Sequence, residues 1–172
     1  FYAFDAAIAI EAYRAPIRAA FDLWEKLANI DFKEIVSAGA QIQLGWDSFD
    51  GPGSTLGEAR WSYQAGLTLD AEVAFDISEN WSVNIAQPQS LFVIAVHEIG
   101  HAIGLDHSED LASIMYPYLG AQTLPSAVDI AAISALYGPA LPSSPSVGNP
   151  IASLVGTDGN DNLTAGNSYT SI

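Results

Sequence analysis

The three histidines of this 172-residue chain lie within eleven consecutive positions, at His97, His101 and His107. His97 and His101 are four residues apart, so on a helix their side chains share a face and can bind one metal ion. Gly104 is predicted to end that helix, because glycine readily adopts the left-handed conformation that turns the chain. The turn lets His107 reach the same ion. Three imidazole nitrogens favour Zn²⁺ over Ca²⁺ or Mg²⁺.

A carboxylate stands directly beside this predicted metal site. Glu98 projects about 100° away from His97 around the helix, so it can lie next to the ion without ligating it. Three histidines and a water make an open tetrahedral site, which is typical of catalytic zinc. Such a metal lowers the pKa of its water and polarises a substrate carbonyl. Glu98 can accept the proton of that water and deliver it to a leaving amine, which is the chemistry of peptide-bond hydrolysis.

Helical periodicity of apolar residues predicts the helices that position these side chains. Three helices are expected, over residues 16–29, 90–103 and 126–137. Pro16 suits the first turn of a helix, where its missing N–H costs nothing. Ser90 and Ser126 are predicted N-caps, and Gly138 is predicted to close the third helix.

Alternating apolar residues predict short strands between the first two helices. Strands are expected at residues 32–36, 41–46 and 67–75. Asp-Gly-Pro-Gly at 50–53 indicates a loop, and the chain from Thr55 onward can be extended. Helix, strands, helix and helix in this order predict an α+β fold with mixed α/β layers.

The composition limits the partners of the chain. Five lysines and arginines stand against twenty aspartates and glutamates, which gives a net charge of −15. Such a surface repels nucleic acids and anionic membranes and attracts hard cations such as Ca²⁺. The chain has no cysteine, which excludes disulfides, cysteine-ligated zinc and thiol catalysis. Its longest apolar runs are too short to span a bilayer.

The segment 97–107 reads HEIGHAIGLDH and matches H-E-x-x-H-x-x-G-x-x-H, with Met115 following in SIMYP. On these residues the chain resembles the metzincin zinc metalloproteases, and its Asp-His-Ser and Met-Tyr-Pro are similar to the matrixin branch. FDGPGSTLGEA and AFDISENW also look like matrixin loops, and DIAAISALYG is similar to the last helix of both matrixins and serralysins. The resemblance covers roughly residues 10–138. It implies a twisted, mostly parallel sheet, an active-site helix, a Met-turn and a C-terminal helix.

The resemblance implies a role for each matching residue. His97, His101 and His107 would ligate one catalytic zinc, Glu98 would be the general base, and Met115 would form a hydrophobic floor under the metal. The chain after Met115 would form the wall of the S1′ pocket. An edge strand would pair with the backbone of an extended substrate by β-augmentation. Its residues are Leu56, Gly57, Glu58 and Ala59.

The resemblance also implies structural metal sites. A calcium loop would take its oxygen ligands from Asp50, Gly51, Gly53, Thr55, Asp76 and Glu79, and solvated loop acids are the alternative. Asp70 and Glu72 are weaker candidates for another calcium. Matrixins hold a second, structural zinc, but this chain has Gln43, Gly45, Glu58 and Ala74 at the matching places. We therefore expect one catalytic zinc, one or more calcium ions and no structural zinc.

The composition changes after Gly138, so the catalytic domain is predicted over residues 1–138. Residues 139–151 are rich in proline and serine and predict a linker. Residues 156–164, GTDGNDNLT, fit most of the calcium-binding β-roll repeat. One and a half repeats cannot form a roll, so 152–172 is expected to be either the remnant of an RTX-type repeat or a disordered tail. Serralysins carry such rolls and are exported from bacteria, which implies a secreted bacterial protein.

The favoured function is a secreted zinc-dependent endopeptidase that cleaves extended protein or peptide substrates, with a zinc-bound water activated by Glu98. The alternative is a non-catalytic module for calcium-dependent adhesion or binding in a larger exported protein, although a domain that keeps zinc only for stability has no need of Glu98. A third hypothesis is a zinc-dependent hydrolase that acts on a non-peptide amide. We expect a monomer with a peptide substrate and a protein inhibitor as partners, and neither nucleic acid nor membrane.

Overall fold

The computed structural model describes residues 1–36, 39–64, 68–87 and 90–141. Its elements in chain order are β1 (Tyr2–Phe4), α1 (Glu11–Leu27), β2 (Ile42–Asp47), β3 (Gly57–Gln64), β4 (Thr68–Asp76), α2 (Leu91–Ala102) and α3 (Ala127–Tyr137). Phe1–Ala140 form one compact unit. The repeat remnant predicted at 152–172, and the predicted linker except for residues 139–141, lie outside the described residues. The proposed division into domains therefore stays a prediction.

The four strands form one mixed sheet in the order β1-β2-β4-β3. β1, β2 and β4 run parallel, whereas β3 pairs antiparallel with β4 and lies at one edge of the sheet. In the middle of the sheet Leu44 pairs with Val73, and both are fully buried. The predicted α+β fold with a mostly parallel sheet is confirmed. The strands predicted at 41–46 and 67–75 are present as β2 and β4, with bounds shifted by one residue.

One predicted strand is wrong, and one observed strand was not predicted. Residues 32–36 form no strand, only an isolated bridge in which Tyr2 donates to the carbonyl of Lys33 and Ile35 donates to that of Tyr2. The sheet edge is instead taken by β1, whose three residues are too few to show a period-two pattern. Leu56 also precedes the strand that it was predicted to join, since β3 begins at Gly57.

The first helix begins earlier than predicted. α1 starts at Glu11, so Pro16 lies inside the helix and not in its first turn. Proline has no N–H to donate to the carbonyl four residues earlier, which weakens a helix at that point. The packing of Phe21 and Trp24, both buried, compensates for that loss. The indole N–H of Trp24 also donates to the carbonyl of Val96 at 3.1 Å, and this bond ties α1 to α2.

The helix that carries the histidine motif is almost wholly buried, and its bounds confirm the predicted helix. Ser90 caps it, because the Ser90 hydroxyl accepts a hydrogen bond from the Val93 N–H at 3.3 Å. Gly104 follows with a φ of +99°, which is the left-handed conformation predicted for the turn. The third helix likewise ends at Gly138 with a φ of +86°. None of the helices in the described ranges is long and apolar enough to cross a membrane.

Candidate metal centre and active site

The three histidines of the motif converge on one point. His97 and His101 lie one turn apart on α2, and the turn at Gly104 brings His107 back toward them. One ring nitrogen from each lies within 4.8 Å of the other two. In the part of the chain that the structure describes, no other three or more histidine, aspartate or glutamate side chains gather this closely.

Backbone carbonyls fix the orientation of two of these rings. His97 Nδ1 lies 2.7 Å from the Ile114 carbonyl oxygen, and His101 Nδ1 lies 2.7 Å from that of Leu105. A carbonyl oxygen only accepts, so each Nδ1 carries the proton and each Nε2 presents a lone pair. The two Nε2 atoms are 3.1 Å apart. Two lone pairs cannot hydrogen-bond to each other, so this arrangement fits a cation held by nitrogen ligands.

The protonation of these histidines fits the same conclusion. Burial is the main cause that lowers the pKa of His97 to about 4, and the charges of the other two histidines lower it further. Burial likewise lowers the pKa of His101. Both rings are therefore neutral at pH 7, and neutral imidazole is the form that binds a metal. The donor set of three imidazoles fits Zn²⁺.

Glu98 is buried beside the histidines, under the edge strand. A Cβ placed on Gly57 would lie 2.9 Å from Glu98 Cγ and 3.0 Å from Glu98 Oε1, so β3 passes directly over the carboxyl group. Burial raises the pKa of Glu98 to about 8, the negative charge of Glu58 raises it further, and a hydrogen bond from the Ala59 backbone opposes the shift. The group therefore has the strongly perturbed pKa that is typical of catalytic carboxyls.

Met115 packs against α2 on the side of Gly100. A Cβ placed on Gly100 would lie 2.5 Å from Met115 Sδ and 3.3 Å from the indole ring of Trp24. Gly100 lies between the two helical histidines, so only a residue without a side chain lets the methionine approach the helix there. The side chain of Met115 is almost fully buried, and its carbonyl accepts from the Ser108 N–H at 2.9 Å. Met115 thus closes the core directly behind the histidine pair.

A buried carboxylate that the sequence analysis missed supports this turn. Asp129 Oδ2 accepts from the N–H of Ile114 at 2.9 Å and from the N–H and hydroxyl of Ser126 at 2.7 and 2.8 Å. Asp129 Oδ1 accepts from the Ser113 hydroxyl. Burial raises the pKa of Asp129, but these hydrogen bonds outweigh it and hold the pKa below its usual range. The spacing of Ser126 and Asp129 is a capping-box pattern, and it is the signal that could have found this residue.

Asp129 is linked to the histidines through one residue. Ile114 donates its N–H to Asp129 and accepts the Nδ1–H of His97 on its carbonyl. Metal-binding histidines in proteins are commonly oriented by such a partner on the second ring nitrogen. The carboxylate at the start of α3 therefore helps to set the ring orientation of His97.

The histidines and Glu98 open into a cavity of about 600 Å³. The start of the edge strand and the chain after Met115, residues 116–120, both line it. All four residues predicted for the substrate edge strand line it: Leu56, Gly57, Glu58 and Ala59. The cavity is of the size that small-molecule and peptide side-chain sites usually have.

The predicted calcium loop is held by its own carboxylates. The hydroxyl of Thr55 donates to Asp50 at 2.8 Å, and its N–H donates to the same carboxylate. The N–H of Gly53 donates to Glu79. Gly51 and Gly53 have φ values of 87° and 91°, which L side chains rarely adopt. These hydrogen bonds therefore hold the loop in a compact conformation. The three predicted carboxylates do not converge on one point, whereas the three histidines do.

Asp76 differs from the other two acids because it is fully buried at the end of β4. Its Oδ1 accepts from the N–H and hydroxyl of Ser78 at 2.8 and 2.7 Å, and these bonds are the main cause that lowers the pKa of Asp76. Its Oδ2 is buried with no hydrogen-bond partner. A buried carboxylate oxygen without a donor is costly and is often explained by a bound ion or water.

Comparison with known proteins gives a consistent result. The family model of the M10 peptidases, the matrixins, matches residues 2–138. The chain is 35% identical over 134 residues to an interstitial collagenase of Sus scrofa, covering 72% of this chain and 28% of the relative. It is 36% identical over 143 residues to a macrophage metalloelastase of Rattus norvegicus, covering 76% and 30%. It is 34% identical over 151 residues to a neutrophil collagenase of Homo sapiens, covering 78% and 31%.

The chain thus spans less than a third of the length of these curated relatives. The matched part includes both the histidine motif and the elements that position it, from β1 to α3. The family match covers most of the chain and ends at the C-terminus of α3. This chain belongs to the matrixin family of M10 peptidases.

Proposed function

We propose that the chain is a zinc-dependent endopeptidase whose catalytic base is Glu98. The observation that carries the proposal is the buried carboxyl group of Glu98 beside two histidine Nε2 atoms that are 3.1 Å apart and cannot hydrogen-bond to each other. Membership of the matrixin peptidase family supports the same activity. Adhesion without catalysis is not favoured, because burial of an acid at this place is costly and a structural metal site does not need it.

In this proposal His97, His101 and His107 hold the zinc, and the Ile114 and Leu105 carbonyls keep two of the rings in place. When bound, zinc lowers the pKa of a water molecule and polarises a carbonyl group. A nearby cation also favours the ionised form of a carboxyl group, which opposes the effect of burial on Glu98. Glu98 then accepts a proton from the attacking water and delivers it to the leaving amine.

The proposed substrate is an extended segment of protein. Among the strands that the structure describes, β3 pairs only with β4 and lies at the edge of the sheet, so an extended segment can add along its outer side as a further strand. Gly57, Glu58 and Ala59 line the cavity from that strand, and Leu56 lines it from the preceding residue. The matched relatives are called collagenases and a metalloelastase. Their names support peptide cleavage as the activity of the part that this chain matches.

Cleavage-site profiling on a random peptide library tests the activity directly. The chain loaded with one zinc is expected to cleave a subset of the peptides, and EDTA is expected to abolish the cleavage. The positions of the cuts also show which residue the cavity beside 116–120 accepts. A zinc-loaded, folded chain that cleaves no peptide would refute the proposal.

We further propose that Asp76 binds one structural calcium ion together with the loop acids Asp50 and Glu79. The support is the buried Oδ2 of Asp76 that has no donor, next to a loop whose carboxylates and carbonyls are the oxygen ligands that calcium prefers. Backbone carbonyls of Gly51, Gly53 and Thr55 would complete the set. Asp50 and Glu79 would have to exchange their present amide partners for the ion.

Calcium is therefore expected to stabilise the chain against heat. At a free calcium concentration of about 100 Kd the gain is about 2.7 kcal/mol, which raises the Tm by roughly 5–10 °C. Asp76→Asn should lose most of this shift, whereas Asp22→Asn, an exposed acid on α1, should keep it. Thermal scans of the zinc-loaded chain with and without calcium measure the shift. An equal shift in both variants would place the ion elsewhere.

Further proposals concern the location, assembly and metal content of the protein. We propose that the peptidase acts outside the cell as a monomer that a protein inhibitor can block. We also propose that it has no structural zinc, because Gln43, Gly45, Glu58 and Ala74 supply no histidine. Metal analysis of the purified chain tests the absence of a structural zinc, since a second stoichiometric zinc would contradict it. Fractionation of the producing cells and their medium tests the extracellular location.

A further inference from the structure

Trp61 presents a large aromatic surface inside the candidate active site. It lies on β3, and 41% of its surface is exposed. Its ring is nearly parallel to that of His101, with an angle of 18° between the planes and 6.0 Å between the centroids. It also lines the cavity that contains Glu98 and the three histidines. Trp61 is therefore not a core residue, and its exposed surface in the cavity is available for contact with a ligand.

The period of the strand places Trp61 in a row with the residues that cover Glu98. Side chains two residues apart point to the same face, so Gly57, Ala59 and Trp61 share one face of β3. Gly57 contacts the Glu98 side chain, the Ala59 backbone hydrogen-bonds to it, and Trp61 stacks on His101. Glu98 thus lies at the start of the row, and the backbone of Trp61 lies about 7 Å further along the strand than that of Ala59.

The direction of the strand decides which part of a substrate reaches the indole ring. Antiparallel pairing is slightly more stable per residue than parallel pairing, so a substrate is expected to run opposite to β3. Substrate residues beside Trp61 then come before those beside Gly57 in the substrate sequence. They lie on the N-terminal side of the bond that is cleaved.

We propose that Trp61 is a specificity-determining residue whose indole ring binds an aromatic side chain of the substrate, in the first few positions before the scissile bond. The inference rests on the proposed peptidase function. Aromatic pairs prefer offset-stacked or edge-to-face contact at centroid separations of 4.5–7 Å, and the exposed face of Trp61 allows such contact. The expected result is a roughly tenfold preference for phenylalanine over alanine at one of these positions.

The test compares peptides that differ only by phenylalanine or alanine at one of the three positions before or after the cleaved bond. For each pair, kcat/KM is measured at equal zinc content for the native chain, Trp61→Ala, Trp61→Tyr and the control Val83→Ala. Val83 is exposed and does not line the cavity. The preference should appear before the bond, vanish in Trp61→Ala, return largely in Trp61→Tyr and persist in Val83→Ala.

Two results would overturn the proposal. The first is a Trp61→Ala variant that loses rate equally on both peptides of each pair and keeps the preference, because Trp61 would then only support His101. The second is a native preference that is absent or lies after the bond. Binding of the same uncleaved pairs to zinc-loaded Glu98→Ala, measured by calorimetry, keeps the test independent of catalysis. A phenylalanine preference in binding that needs Trp61, with no cleavage by the native chain, would refute the peptidase function and not the contact.

Discussion

Replacing Glu98 by alanine is expected to lower kcat by at least about 10²-fold while one zinc per chain remains bound. The carboxyl group lies beside the histidines but is not one of the three converging ligands, so its loss removes the proton acceptor and not the metal. Peptide cleavage and zinc content are measured on the same sample. The rate loss should appear in kcat more than in KM, because the interaction acts mainly in the transition state.

Two variants control for this effect. Glu98→Gln has nearly the same shape and should lose a similar factor, since an amide cannot accept the proton. Glu109→Ala removes an exposed acid near the histidine loop and should keep the native rate. Near-normal cleavage by Glu98→Ala at full zinc occupancy would refute the base role, and loss of the zinc would mean that Glu98 is needed to bind it.

Replacing Asp129 by alanine is expected to destabilise the metal-free fold by about 2–4 kcal/mol. The change leaves the buried N–H of Ile114 and the N–H of Ser126 without their acceptor, and it releases the Ser113 hydroxyl. Because Ile114 also orients His97, zinc affinity should fall by about 10- to 100-fold. Urea unfolding of the metal-free chain and a competitive zinc titration measure the two effects separately.

The conservative variant and the pH dependence separate these roles. Asp129→Asn keeps one oxygen acceptor. It should therefore lose much less stability and much less zinc affinity than the alanine variant does. The hydrogen bonds hold the folded pKa of Asp129 below its ordinary value of 3.8. Its stabilising effect is therefore present above about pH 4 and is lost as the pH falls through the folded pKa. Normal zinc affinity in a folded Asp129→Ala chain would show that Asp129 does not position His97.

The parts of the fold that the sequence predicted well are those with local signals. The bounds of α2 and α3 follow from helical periodicity and from Ser90, Ser126 and Gly138 at their ends. The predicted start of α1 was wrong. Pro16 is a local signal for a helix start, but the packing of the long apolar face of α1 outweighs it, and the helix begins at Glu11. β1 and the absence of a strand at 32–36 depend on a pairing between distant residues, which no local pattern shows.

In the candidate site, too, the features with local sequence signals were predicted and those that depend on distant residues were not. Histidine spacing predicted that the three imidazoles meet, because a helix and one glycine turn are enough to bring them together. Their orientation depends on the carbonyls of Ile114 and Leu105, and backbone oxygens leave no signature in a sequence. Trp61 was also missed, since only the register of β3 against β4 places it over His101.

A zinc titration of the metal-free chain, followed by peptide cleavage at each step, tests the central claim most directly. The account predicts no cleavage without metal, a rate that rises linearly with added zinc, and a plateau at one zinc per chain. Loss of the response in His101→Ala would locate the zinc at the histidine triad. Cleavage that persists in the metal-free chain, or one bound zinc with no cleavage, would contradict the account.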